Sequence, residues 1–450
     1  MRRGRPINAD VPADETPDEA AKQEEKSAPA AQKKAAPKPS KPVEPKAPRP
    51  KPVEPKPPQS GIPGALKLVG ALALLGIVFL IVAIVGGSGG DDETGETPAP
   101  AAEATELGFP AFATGNTTRV GGPDPAANAA GVALAVFPSV TAAQRPAAVT
   151  FVVEDDWAGG IAAAVLMAAP VRAPVLISAA DSAPEETEEA LDALQPDGGK
   201  GTKGAAGFAI GKVAAPVDGR VTKVAAGSPA AEAAAIARLR ERLTGSPPDH
   251  FVLAPETAPE LAMPAAAWAA RSGDPVLFSA TGKLPKATAA VLKSHRGVPV
   301  YVLGPSSAIS SAVVREAAAI AKQVKRVSGE DPVANAIAFA RYDDEDFGWS
   351  INDPGHGFVL TRTDTPLNAA AAAPLSASGT WGPLLLTDDA GTLPAELRSY
   401  FLDVKPGYTK NPTRAFYNHV WVIGDQEAID VNQQAEVNEL AELTKIGSAP

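Results

Sequence analysis

Three basic residues stand directly before a valine at nearly equal intervals, as Arg119–Val120, Lys223–Val224 and Arg326–Val327. Cations at equivalent places could hold an anionic polymer at three points, and Arg offers a planar fork for bidentate contacts. Three glycines recur as well, Gly211, Gly304 and Gly424, each closing an apolar run. Glycine there suits a tight turn at the C-terminal end of a strand, the edge where open parallel sheets take their ligands. A hydroxyl repeats at Ser178, Ser279 and Thr387, but no His or acid repeats with it. A hydroxyl without a base is a poor nucleophile, so these side chains read as hydrogen-bond donors to backbone.

The other chemistry-bearing residues point away from catalysis. His250, His295, His356 and His419 are isolated, without paired-ligand spacing, and Cys is absent, which removes thiol nucleophiles and Cys-held metals. The acidic runs Glu154–Asp156, Asp343–Asp346 and Asp388–Asp389 lack the alternating carboxylates of a Ca²⁺ loop, and the second reads as a solvated loop. Neither a Gly-rich nucleotide fingerprint nor a G-x-S-x-G elbow is present. No catalytic residue, metal site or cofactor is expected.

The elements that would position these residues also come in triplicate. DPAANAAGVA from Asp124, SPAAEAAAIA from Ser228 and DPVANAIAFA from Asp331 each place an N-cap before a Pro at the first helical position. Ala and one larger apolar residue (Val132, Ile236, Phe339) fall on one helix face, which allows close packing on a sheet. Buried-strand runs follow: TFVVE, HFVLA and GFVLT, then PVLIS, PVLFS and PLLLT, then FAIG, VYVLG and VWVIG. Between the second and third runs, Pro184, Pro285 and Pro394 open helices that carry Leu191, Leu292 and Phe401 seven residues on. Each unit reads as helix, strand, helix, strand, helix, strand. The fold class is therefore α/β: three tandem doubly wound, Rossmann- or flavodoxin-like modules with parallel sheets, over 118–218, 219–322 and 323–445.

In their order, these motifs resemble the cell wall-binding repeat 2 family, which occurs as tandem triplets on Gram-positive bacterial surfaces. The second copy matches best, with PVLFS, Leu284–Pro285 and VYVLGPSSAIS; the third keeps VWVIGDQEAI. Where the family often has Gly-Gly after the last strand, this chain has Gly211–Lys212, Gly304–Pro305 and Gly424–Asp425. The resemblance covers roughly 118–440. It implies a pseudo-threefold arrangement and non-covalent attachment to a cell-wall polymer, an anionic polysaccharide or teichoic-acid-like chain.

Upstream of the repeats the composition changes. Residues 1–64 hold 13 Lys+Arg and 9 Asp+Glu among Pro and Ala, with a near-repeat KPVEPKAPRP and KPVEPKPPQS at 41–60. Such a segment cannot bury enough apolar surface to order itself and is expected to be a disordered tether, open to a cytoplasmic protein partner. Leu68–Val85 is eighteen residues without a charge, so 66–87 is expected to be one transmembrane helix crossing roughly 30 Å of hydrocarbon. Basic residues on its N-terminal side place that side in the cytoplasm and the repeats outside, beyond an acidic Gly/Pro linker at 88–117. Residues 68–450 carry 27 basic and 43 acidic residues, a balance that argues against nucleic-acid binding.

Overall fold

The structure, a computed structural model, describes residues 112–447. The expected tether 1–64, the expected membrane helix 66–87 and most of the linker 88–117 lie outside the described residues. Among the described residues no helix is long and apolar enough to cross a membrane.

The chain opens with β1 (Phe112–Ala113), β2 (Thr117–Val120) and α1 (Pro125–Val136). The first sheet is then laid down by β3 (Val149–Val153), α2 (Trp157–Ala163, continuing as a 3₁₀ turn to Met167), β4 (Val175–Ser178), α3 (Glu185–Leu194), β5 (Ala205–Ile210) and β6 (Arg220–Val224). The second unit follows with α4 (Pro229–Thr244), β7 (Phe251–Pro255), α5 (Pro259–Ala262), α6 (Pro264–Ser272), β8 (Val276–Ser279), α7 (Lys286–Ser294), β9 (Val300–Leu303), α8 (Ser311–Ala318) and β10 (Val324–Val327). The third has α9 (Pro332–Arg341), β11 (Gly357–Arg362), α10 (Leu367–Ala377), β12 (Leu384–Thr387), α11 (Ala395–Asp403), β13 (Gly407–Tyr408), β14 (His419–Ile423), α12 (Val431–Ala441) and β15 (Thr444–Lys445).

Three four-stranded parallel sheets result, in the orders β4-β3-β5-β6, β8-β7-β9-β10 and β12-β11-β14-β2, with β1 added antiparallel to β2 and a separate short parallel pair β13-β15. The fourth strand of each sheet is the polar segment carrying the basic–Val pair, which the apolar patterning had not marked as a strand. RVTKV and VKRV are short edge strands, largely solvated along one side, so they lack the continuous apolar run of a central strand. Each such strand ends one sheet and leads directly into the first helix of the next module. The sheets therefore cut across the sequence boundaries at 218/219 and 322/323. The third sheet takes its fourth strand from the start of the repeats: Thr117 pairs with Val420 and Val120 with Ile423. The ring of modules is closed by that pairing.

Both faces of each sheet are covered, as continuous apolar parallel strands require. In the second module Phe251, Leu253, Val300 and Val302 face α4, α7 and α8, while Val252, Ala254, Phe278 and Leu303 face the shared core. The third alternates likewise, with Phe358 and Leu360 outward and Val359 inward. At the centre, α2 with its 3₁₀ extension, α6 and α10 meet, and the alanines 265–267, 269–270 and 369–373 are all buried there. Small side chains allow these helices to approach closely. A Cβ on Gly160 would stand 3.0 Å from Leu367 Cδ2 and 3.2 Å from Ala370 Cβ. The helix starts are capped as the motifs imply: Asp124 accepts from the N–H groups of Ala126 and Ala127, Ser228 from Ala231, and Asp331 from Ala334.

A chain beginning at Gly122 lacks β2 and leaves the edge of β14 bare. Losing its ladder bonds and the burial of Val120 should cost on the order of 5 kcal/mol. Thermal denaturation should show a midpoint lower by roughly 10 °C than for a chain beginning at residue 112.

Candidate functional site

The three recurring glycines sit where expected, at the C-terminal ends of β5, β9 and β14, with φ of +73, +106 and +104°. A side chain is strained in that region, which accounts for Gly at each. Their N–H groups have a common task. Gly211 donates to Val224 O (2.7 Å), Gly304 to Val327 O (2.9 Å) and Gly424 to Val120 O (3.1 Å). Each glycine thus locks the last residue of the fourth strand into its sheet.

The basic residue beside that valine completes the lock in two modules. Arg119 is buried and donates to Gly424 O (2.9 Å), Asp425 O, Ile429 O and the Oε1 of Gln434 (2.8 and 3.0 Å). Burial lowers its pKa to about 10, against the opposing pull of Asp425 and Asp430, so the cation persists at neutral pH. Arg326 repeats the geometry, donating to Gly304 O and to Ile309 O (2.6 Å). Both guanidinium groups clamp the carbonyls of the turn after the glycine and are committed inside the protein. Lys223 is exposed. Its module has no helix between β5 and β6, hence no such turn to clamp. The three cations do not form a common anion-binding surface.

A second recurring position escaped the sequence reading, although it lies inside the quoted helix motifs. Three residues after the helix-opening Pro stand Asn128, Glu232 and Asn335, all buried. Asn128 accepts from Gly122 N (2.9 Å) and donates to Asn368 Oδ1 (3.0 Å) on α10 of the third module. Asn335 accepts from Gly329 N (3.3 Å) and donates to Leu261 O (3.2 Å) of the second. Glu232 instead meets Asp156, the N-cap of α2 in the first module. Burial first, then the hydrogen bond and charge of Asp156, push Glu232 up to about 8. The signal available was a buried polar residue on an otherwise small and apolar helix face.

The C-terminal edge of the third sheet is acidic. Glu260, Asp331, Asp364, Asp388 and Glu396 line a cleft of 380 Å³ there, unsuited to a polyanion. The repeated hydroxyls donate to backbone: Ser178 to Ser182 O, Ser279 to Ala280 O and Thr387 to Asp389 O. His250 pairs with Asp274, His295 with Glu241, His356 with Asp353 and His419 with Thr118. Among the described residues no three His, Asp or Glu side chains are grouped to hold a metal. The run Asp343–Asp346 is not simply solvated. Asp344 accepts from Tyr301 Oη (2.7 Å) and Lys325, and Phe347 stacks on Tyr301 with centroids 3.6 Å apart, docking the loop onto the second module.

Geometry of this kind defines a three-module, parallel-sheet α/β ring closed by strand exchange. Two solved structures share the fold. Cwp6 from Clostridium difficile superposes with a TM-score of 0.58 at 19% identity, over 73% of this chain and 48% of that one. Cwp8 from Clostridium difficile gives 0.55 at 20% identity, over 72% and 52%. The matched region spans about half the length of each. No protein-family description matches the sequence, and no curated protein does.

Two outcomes follow for these residues. Arg119→Leu strands several buried carbonyls and should cost about 3 kcal/mol or more, a midpoint lower by roughly 5 °C, while Lys223→Ala should change little. Glu232 has a folded pKa above its unfolded value of 4.5, so its contribution to stability is complete below that pH and lost as pH rises through about 8. Glu232→Asn, the residue of the other two copies, should flatten that loss. Denaturation midpoints at pH 5 and pH 8 would therefore lie closer together in the variant than in the parent.

Proposed function

We propose that the chain is a non-catalytic cell-envelope protein, held in the membrane by residues 66–87, that binds a cell-wall glycopolymer through its three modules. The observation that carries this reading is the triplicate, ordered set of motifs resembling cell wall-binding repeat 2, in a chain whose fold is similar to Cwp6 and Cwp8. A binding rather than catalytic role is supported by the commitment of the recurring hydroxyls to backbone carbonyls. The eighteen-residue apolar run and its basic N-terminal flank support a cytoplasmic tail, available to a protein partner, with the modules outside.

Because Arg119 and Arg326 are committed internally and the C-terminal part of the chain is acidic, the polymer is recognised through its sugars more than its charge. The solubilised chain should co-sediment with protein-free cell walls, and salt near 1 M, where the Debye length is about 3 Å, should not release it. Retention by untreated envelopes but not by protein-free walls would replace this reading with a scaffold that binds proteins. Release of labelled wall fragments would replace it with a hydrolase.

A further inference from the structure

Aromatic residues make up 5% of the chain, and it has five Trp. Three of the five, Trp268, Trp349 and Trp381, line a single cleft of 340 Å³ between the second and third modules. Trp268 and Arg271 come from α6; Trp349 and Asp346 from the loop between α9 and β11; His356 directly precedes β11, and Trp381 stands three residues before β12. The cleft therefore opens at the N-terminal edge of the third sheet, opposite the glycine turns.

Its walls are fixed. Trp268 Nε1 donates to the buried Asp274 (2.9 Å), and its ring meets Trp349 edge-on with centroids 5.5 Å apart. Trp381 is 52% exposed and adopts φ +58°, a conformation costly for a bulky side chain. The Arg271 guanidinium lies over the ring, 5.0 Å from its centroid, a cation–π contact that steadies the indole. The other exposed aromatics, Phe416 and Tyr417, precede β14 at the same edge, and Phe416 lies against Gly355, next to His356. Nε1 of Trp349 has no hydrogen-bond partner. At the matching edge of the first module Arg172 lies over Phe137 (5.4 Å), so a cation over an aromatic recurs there without tryptophan.

We propose that this cleft is a carbohydrate subsite that stacks a pyranose ring on Trp381 and holds its hydroxyls with Arg271, Asp346 and His356. A pyranose has an apolar C–H face and a rim of hydroxyls. An indole face matches the first; for the second, a guanidinium donates to hydroxyl oxygens, a carboxylate accepts from hydroxyls and an imidazole can do either. Concave sites with aromatic walls and a few converging polar groups are the usual form of small-ligand sites. The lining holds one guanidinium and one carboxylate, so its net charge is small and the unit recognised is a neutral sugar rather than a phosphate.

This inference rests on the wall-binding reading, and the test separates the two. The full chain in detergent would be titrated with polysaccharide released from walls by mild acid and, separately, with the stripped peptidoglycan. Whichever arm binds the parent identifies the source of the sugar. There Trp381→Gly and Arg271→Gln should each weaken binding about tenfold or more. Trp381→Tyr should retain most of it, and Leu402→Ala, an exposed residue on α11, should leave it unchanged. Arg271 is exposed, so its variant reports on the cleft even if the Trp381 variant is destabilised. Parent binding unaltered by Trp381→Gly and Arg271→Gln overturns the subsite while leaving the wall-binding reading intact. No binding of the parent in either arm overturns both.

Discussion

The structure depends on how each sheet acquires its fourth strand. A parallel sheet ending at β5, β9 or β14 would expose a row of unpaired backbone groups. In each case the chain covers that edge with a short polar strand before crossing to the next module. The lock is the bond from a left-handed glycine N–H to the valine carbonyl, with the Arg119 or Arg326 guanidinium drawing in the following turn. Because the covering strand belongs to the segment that starts the next module, no module can leave without breaking a sheet. The strand from Thr117 to Val120 does the same for the last module and turns a linear repeat into a ring.

How much of this was legible in the sequence follows from the type of each element. The central strands and the capped helices carry strong local signals: long apolar runs, Pro at the first turn, an apolar residue one face away. They appear where the motifs place them. The fourth strands do not announce themselves, because TTRV, RVTKV and VKRV are stabilised by a partner rather than by composition. Arg119 and Arg326 were legible as a repeated position but not as internal clamps. A basic residue beside a strand-end valine reads the same whether it faces solvent or carbonyls, and only the fold brings Ile429 and Ile309 within reach.

The joints between modules show where the copies have diverged under one constraint. The first helix of each module starts against the helix that follows the first strand of its neighbour, and a buried polar side chain bridges the two. Asn can accept and donate at once, so at Asn128 and Asn335 it satisfies both a glycine N–H and the neighbouring helix. A carboxylate can only accept. At Glu232 the buried carboxyl meets Asp156 instead, and burial with that neighbouring carboxylate raises its pKa. The same copy has no helix between β5 and β6 and carries Lys223 in place of a clamp, so divergence there reaches both the joint and the lock.

Those constraints divide each sheet into a committed edge and a variable one. Glycine turns, helix N-caps and polar joints crowd the C-terminal edges, the edge at which an open α/β sheet ordinarily takes a ligand. Here that crevice is filled by the neighbouring module, and where it opens in the third module it is acidic. At the N-terminal edges no lock is needed, and the connections differ between copies. Twelve residues (137–148) join α1 to β3, six (245–250) join α4 to β7 and fifteen (342–356) join α9 to β11. That longer connection supplies both Phe347, which anchors it on Tyr301, and Trp349, which lines the aromatic cleft. That connection thus anchors a module joint and builds a concave surface in one step. A repeat architecture that spends one edge on closure leaves the other free to acquire a site in a single copy, and the tryptophans lie on that free edge.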